Sequence, residues 1–267
     1  DAHTAHELFE QLEAKDCVVM AHIGARYADI TFAHDEAMES AVEVHSAWGT
    51  FEWVVQDAFD MGYRVGIVGN SDGHKGRPGA DFPGASFFGA TGGLTCYIAD
   101  KLDRDAIFHA MRRRHQYATT GARIYLDVSA QTATDAEVFH RNPELGPTKS
   151  DMCDIVRESD TDVDLEGEAI GTVPIVRIDI FDGKQLIETV RPYTEAGLGS
   201  RIRVIYEGAE YRGRSRTTVW DGELTVEANA IETSDILCNW NLDRGIQEAG
   251  AKRVVWKAVT TGNLGGL

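Results

Sequence analysis

The sequence predicts an α/β fold over residues 1–126, followed by an antiparallel, β-rich, sandwich-like module over residues 127–267. Short apolar runs alternate with helical periodicity in the first part. Period-two alternation takes over in the last part, and the stretch between the two is polar and acidic.

The elements read in order as follows. H-E-L-F-E-Q-L, close to Asp1, has helical character. C-V-V-M-A-H (17–22), A-V-E-V-H (41–45) and R-V-G-I-V-G-N (64–70) read as buried strands. Between the second and third, Phe51, Val54, Val55, Ala58 and Phe59 follow helical spacing, and Gly62 suits the helix C-terminus. Strand, helix, strand at this length predicts a parallel sheet or barrel. D-R-D-A-I-F-H-A-M-R-R-R-H (103–115) predicts another helix, acidic in its first turn and basic in its last, as the helix dipole favours. Residues 127–172 read mostly as an insertion or a strand with long loops. Four alternating segments follow: V-P-I-V-R-I-D-I-F-D-G, S-R-I-R-V-I-Y-E-G, T-V-W-D-G-E-L-T-V-E-A and K-R-V-V-W-K-A-V. Their D-G and E-G pairs sit where strands turn. The helical opening at Asp1 and the closing T-T-G-N-L-G-G-L lead us to expect further residues on both sides.

The formal charge of −17 argues against binding nucleic acid, whose phosphates are attracted by basic surfaces. No apolar run of about 18 residues signals a membrane helix. Cys17, Cys96, Cys153 and Cys238 show no C-x-x-C spacing, so neither a zinc ribbon nor a redox dithiol is expected. A P-loop pattern is absent as well.

All nine histidines precede the alternating segments. His22, then Glu43 and His45, then Asp72 and His74 fall at or just after the ends of three successive strands. In parallel βα folds that edge is where sites are built. Within G-N-S-D-G-H-K-G-R-P-G, Asp72 and His74 offer a carboxylate and an imidazole one residue apart, a donor set suited to zinc, manganese or iron. Lys75 and Arg77 add positive charge for an anionic group, and Arg26 is a further phosphate partner. His34 reads as an exposed loop residue, and His3, His6, His109 and His115 as helix-surface or packing residues.

The order A-H-I-G, V-E-V-H-S-A-W-G, G-N-S-D-G-H resembles the later motifs of the polymerase-and-histidinol-phosphatase (PHP) superfamily, and Y-A-T-T-G-A-R-I (117–124) resembles the end of such a domain. The likeness is closest to a branch of uncharacterised metal-dependent hydrolases with a β-rich C-terminal region. It implies the C-terminal part of a distorted (βα)7 barrel that binds up to three divalent ions and hydrolyses a small phosphoester. It further implies that His22, Asp72 and His74 are metal ligands, with Ile23 standing where the family usually has Pro. Asp72 and His45 would carry the chemistry, His45 as a ligand or proton shuttle, while Lys75, Arg77 and Arg26 hold substrate. The family's first motif, two histidines one residue apart, is not in this sequence and is expected upstream of Asp1. Two other readings stand beside this one. Amidohydrolase-type chemistry uses a similar ligand set, and a degenerate, non-catalytic domain could support a binding β-module.

Overall fold

A computed structural model of the chain describes residues 1–14, 17–23, 28–47, 49–73, 76, 92–139, 148–157, 162–205, 217–236 and 244–261. Helix α1 (Ala5–Gln11) starts where the Thr4 hydroxyl accepts the Glu7 N–H at 3.2 Å, an N-cap bond. Strands β1 (Met20–Ala21), β2 (Ala41–Ser46), β3 (Gly49–Thr50) and β4 (Gly66–Gly69) form one sheet. β1 and β4 both run parallel to β2 and flank it, and β3 folds back antiparallel onto its end. Helix α2 (Trp53–Asp60) makes the crossover from β3 to β4.

The core sits where β2 meets α2. Val42, Val54, Ala58, Ile23 and Ile30 surround Phe51, which is only 2% exposed. Phe51→Ala should therefore cost about 3–5 kcal/mol, the usual sum of lost transfer energy and residual cavity. A urea denaturation curve would show this as a lower midpoint at unchanged slope. A shift below about 1 kcal/mol would mean this cluster is not what holds the sheet.

Strands β5 (Leu94–Tyr97) and β6 (Gln116–Thr119) pair antiparallel across helix α3 (Arg104–Arg112), and β6 lies beside β4. The Asp103 side chain caps α3 by accepting the Ala106 N–H at 2.8 Å. Arg114, buried and left-handed at φ 65°, ties this unit to the first sheet by donating to the Arg64 and Glu36 carbonyls.

This arrangement corrects the expected (βα)7 barrel. A barrel needs successive parallel strands, each followed by a covering helix. Among the described residues parallel pairing is confined to β1, β2 and β4, and β1 has two residues. Helix α3 joins strands that pair antiparallel, so the parallel run stops. The three α-helices among the described residues have seven, eight and nine residues, too short to sheathe a barrel. The described chain is mostly β, in several small sheets.

The stretch read as insertion and loops instead holds β7 (Tyr125–Thr132), β8 (Glu137–Phe139), β9 (Lys149–Asp151), β10 (Ile155–Arg157) and β11 (Val163–Ile170). β7 is the centre of a sheet with β11 and β9, while β8 pairs β10. Beyond them, β12 (Ile178–Asp182) and β13 (Gln185–Val190) make a hairpin around Gly183. β14 (Thr217–Val219) pairs β18 (Val259–Thr261). β15 (Gly222–Thr225), β16 (Gly245–Ala249) and β17 (Arg253–Lys257) form another sheet. Pairing is antiparallel throughout, as alternation predicts, but it is spread over two- and three-stranded sheets rather than two broad facing ones. Phe181, Leu186 and Ile187 of the β12–β13 hairpin stay exposed, and residues 201–205 lie outside any strand. Among the described residues no helix is long and apolar enough to cross a membrane.

Cys17, Cys96 and Cys153 are free thiols. Burial pushes the Cys153 thiol up, with the nearby Asp154 charge adding to it, and its Sγ donates to the Gln116 carbonyl at 3.3 Å. Cys96 is exposed. Thiolate is the reactive form, so iodoacetamide at pH 8 should label Cys96 well before Cys153, as read by peptide mass spectrometry. Equal rates would contradict the burial of Cys153.

Candidate functional site

Glu43 is the centre of the site. It lies in the middle strand of the parallel trio and is 3% exposed. Its Oε2 faces His22 Nδ1 at 2.5 Å and accepts the Ile23 N–H at 2.9 Å. Its Oε1 accepts from Asn70 Nδ2 at 2.8 Å. One carboxylate thus joins the ends of β1 and β4 across β2. Burial alone would raise the Glu43 pKa, but the bonds from His22, Asn70 and Ile23 outweigh it and hold the carboxyl below its usual range.

An ionised carboxylate only accepts, so His22 carries its proton on Nδ1. That leaves Nε2 directed toward Asp72, whose Oδ2 is 3.9 Å away. The separation is too long for a hydrogen bond. It lies inside the roughly 4.2 Å that two ligands, each about 2.1 Å from one ion, can span. The His22 ring is about half exposed and the Asp72 carboxylate 16% exposed.

The Asp72 turn is built with care for its backbone. Asp72 has φ 47°, a left-handed conformation uncommon for a residue with a side chain, and such residues concentrate at functional sites. Asn70 N–H donates to the His45 carbonyl at 2.9 Å, and the Asn70 carbonyl accepts the Gly93 N–H at 2.7 Å. Gly92 and Gly93 press against this turn. A Cβ on Gly92, which itself has φ 72°, would lie 2.6 Å from the Ser71 backbone, and one on Gly93 would lie 2.8 Å from Asn70 N. Only glycine permits that approach. Neither Asn70 nor this glycine pair was expected from the sequence. The G-G dipeptide marks a turn, but nothing in it names a partner twenty-odd residues earlier.

Of the residues expected at the site, the structure brings His22 and Asp72 together and gives Glu43 the task of orienting His22. His45 takes a different course. The register between β2 and β4 shifts between Glu43 and His45, and His45 Nδ1 bonds Thr50 Oγ1 at 2.7 Å. Burial lowers the His45 pKa against the opposing pull of Glu43, so the ring is neutral at pH 7. His74, Lys75, Arg77 and Arg26 lie outside the described residues.

A further histidine differs from expectation. His34 is buried rather than in an exposed loop, with Nδ1 2.6 Å from Glu39 Oε2 and its ring stacked on Tyr63 at 3.9 Å. His115 is also buried and pairs with Asp154 at 2.9 Å.

His22 and Asp72 fit a divalent ion in kind. A histidine whose other nitrogen is held by a carboxylate is the usual second-shell arrangement of a metal ligand. They do not complete a site. Among the described residues no group of three or more His, Cys, Asp or Glu side chains could hold an ion.

A family described as a protein of unknown function (DUF3604) matches residues 85–145. That stretch includes Gly92 and Gly93, β5, α3 and β6, so it contributes the support beneath the Asp72 turn. No curated protein and no solved structure matches the chain.

Proposed function

We propose that this chain carries the later part of a divalent-metal phosphoesterase site of the kind PHP domains use, with His22, Asp72 and His74 as ligands. The observation that carries the reading is the Glu43–His22 pair, which directs His22 Nε2 at the Asp72 carboxylate 3.9 Å away. A bound divalent ion of zinc, manganese or iron supplies Lewis-acid polarisation of a phosphoryl oxygen and lowers the pKa of water. The chain's own residues prepare for that. Glu43 fixes the tautomer and ring plane of His22. The Asn70–Asp72 turn, propped by Gly92 and Gly93, fixes Asp72. His45 stands near Glu43 as a neutral base, and with its Nδ1–H donated to the Thr50 hydroxyl it would take a proton at Nε2. Lys75, Arg77 and Arg26 would attract an anionic substrate to a protein whose charge of −17 otherwise repels it.

The test is metal content by plasma mass spectrometry after loading with Mn²⁺ or Zn²⁺, joined to turnover of p-nitrophenyl phosphate and a panel of small phosphoesters. Bound metal with turnover is the expected result. Bound metal with amide but no phosphoester hydrolysis would replace this reading with an amidohydrolase one. A second reading, a non-catalytic domain, is favoured by the count of two donors among the described residues. Absence of stoichiometric metal after loading would select it.

A further inference from the structure

Strand β11 carries its charges and its apolar residues on opposite faces. The register with β7 sets Asp164, Glu166 and Glu168 beside Gln131, Ser129 and Asp127, and Val163, Leu165 and Ala169 beside Thr132, Ala130 and Leu126. The first face is acidic, and neither strand contains a Lys or Arg. The Asp127 charge, with Glu168 adding to it, pushes the Tyr125 hydroxyl above its ordinary range. β11 is the outer strand of its sheet. Among the described residues no backbone hydrogen bond reaches the edge that faces away from β7. Every residue of the strand except Ala169 is exposed, Leu165 at 58%. An open edge of this length with apolar side chains is a template for another strand.

The chain holds a complementary strip elsewhere. Residues 201–205, R-I-R-V-I, alternate basic and apolar side chains as a strand does. Yet the segment lies outside any strand, and all five residues are exposed, Ile202 at 72%. Its backbone groups bond no other described residue. Neither Arg201 nor Arg203 has an ion pair among the described residues.

We propose that β11 and residues 201–205 are the two halves of a self-association surface, the segment of one copy adding as a strand to the β11 edge of a second copy. Laid antiparallel there, it would set Arg201 opposite Glu166, Arg203 opposite Asp164, Ile202 opposite Leu165 and Val204 opposite Val163. Each charge then meets its opposite and each apolar side chain an apolar one. A slip of one residue would bring Arg against Leu165 or Val163, so the alternation also selects the register. Main-chain bonds give an added strand its affinity, and alternate side chains choose its partner. Within one copy the two strips are not paired with each other, so a second copy supplies the occupant of each. Reciprocal exchange makes two such ladders about a two-fold axis. The surface shares no residue with the metal site and does not depend on that reading.

The experiment is sedimentation velocity on the full chain over a range of concentrations, with two charge-reversed variants. One carries Arg201→Glu and Arg203→Glu, the other Asp164→Arg and Glu166→Arg. The parent should self-associate as concentration rises. Each variant alone should associate at least about tenfold more weakly, because like charges then face each other across the added ladder. Mixed in equal amounts, the two should associate as the parent does, since each reversed strip meets its opposite on the other variant. The altered side chains are exposed, so both variants should melt like the parent. Three results would overturn the proposal: a parent that stays monomeric at every concentration, variants that associate as well as the parent, or a mixture as monomeric as its components. A monomeric parent whose two variants both melt lower would mean that the strips pair within one chain.

Discussion

Asp72→Asn is expected to weaken divalent-ion binding by more than about a hundredfold and to take phosphoester turnover with it. The carboxylate contributes an anionic donor 3.9 Å from His22 Nε2, and an amide oxygen in its place has no net charge with which to hold the ion. In the proposed reaction hydroxide generation near neutral pH would depend on that ion, so affinity and turnover should fall together. Asparagine is the informative replacement because position 72 has φ 47°. Asparagine tolerates the left-handed region, whereas alanine would add backbone strain to the loss of charge. Asp72→Asn should therefore unfold at nearly the parent urea concentration. Isothermal titration with Mn²⁺ and the denaturation curve together decide the matter. Unchanged metal affinity would remove Asp72 from the ligand set, and a large stability loss would make its role structural.

Glu43 is the second position where a large effect is expected. Its two oxygens accept from three donors on two segments, His22 and Ile23 after β1 and Asn70 after β4. Glu43→Gln keeps the shape but has one acceptor oxygen, and its NH₂ opposes at least one of those donors. His22 would then lose its fixed tautomer, and metal affinity should fall by about 10–100-fold, the usual effect of removing an orienting partner. Glu43→Ala should add a stability loss of about 2–3 kcal/mol, because the buried Ile23 N–H is left without an acceptor. The two measurements separate the roles. Were Glu43 only a structural tie, ion affinity measured on the folded fraction of either variant would match that of the parent. Were it only an orienter, Glu43→Ala would be as stable as Glu43→Gln.

Local pattern told most about the central strand and its helix. A-V-E-V-H became β2, and the 3.6-residue spacing from Phe51 became α2 with Val54 and Ala58 buried. The apolar run at 17–22 gave only Met20–Ala21 as a strand, because Val19 N–H bonds the Met38 carbonyl just before β2 begins. The barrel was misjudged for a topological reason. Periodicity identifies α3 as a helix but carries no information on whether the strands it joins run parallel, and β5 and β6 do not. At the site, strand-end positions located His22, Glu43 and Asp72. The division of labour among them was not legible, since it rests on which oxygen of Glu43 meets which donor. The departure of His45 toward Thr50 depends on a register shift that alternation along β2 does not reveal.

Every side chain that Glu43 gathers, and Asp72 beyond them, comes from residues 22–72. Contacts so near in sequence close small loops and form quickly. During synthesis this cluster can therefore assemble while the β-rich half is still being translated. The exception is the pair Gly92–Gly93, which reaches the Asp72 turn from twenty residues later. Maturation of the site thus has a natural order in time. The histidine–carboxylate pair comes first, and the Asp72 turn locks only when the glycine pair arrives beneath it.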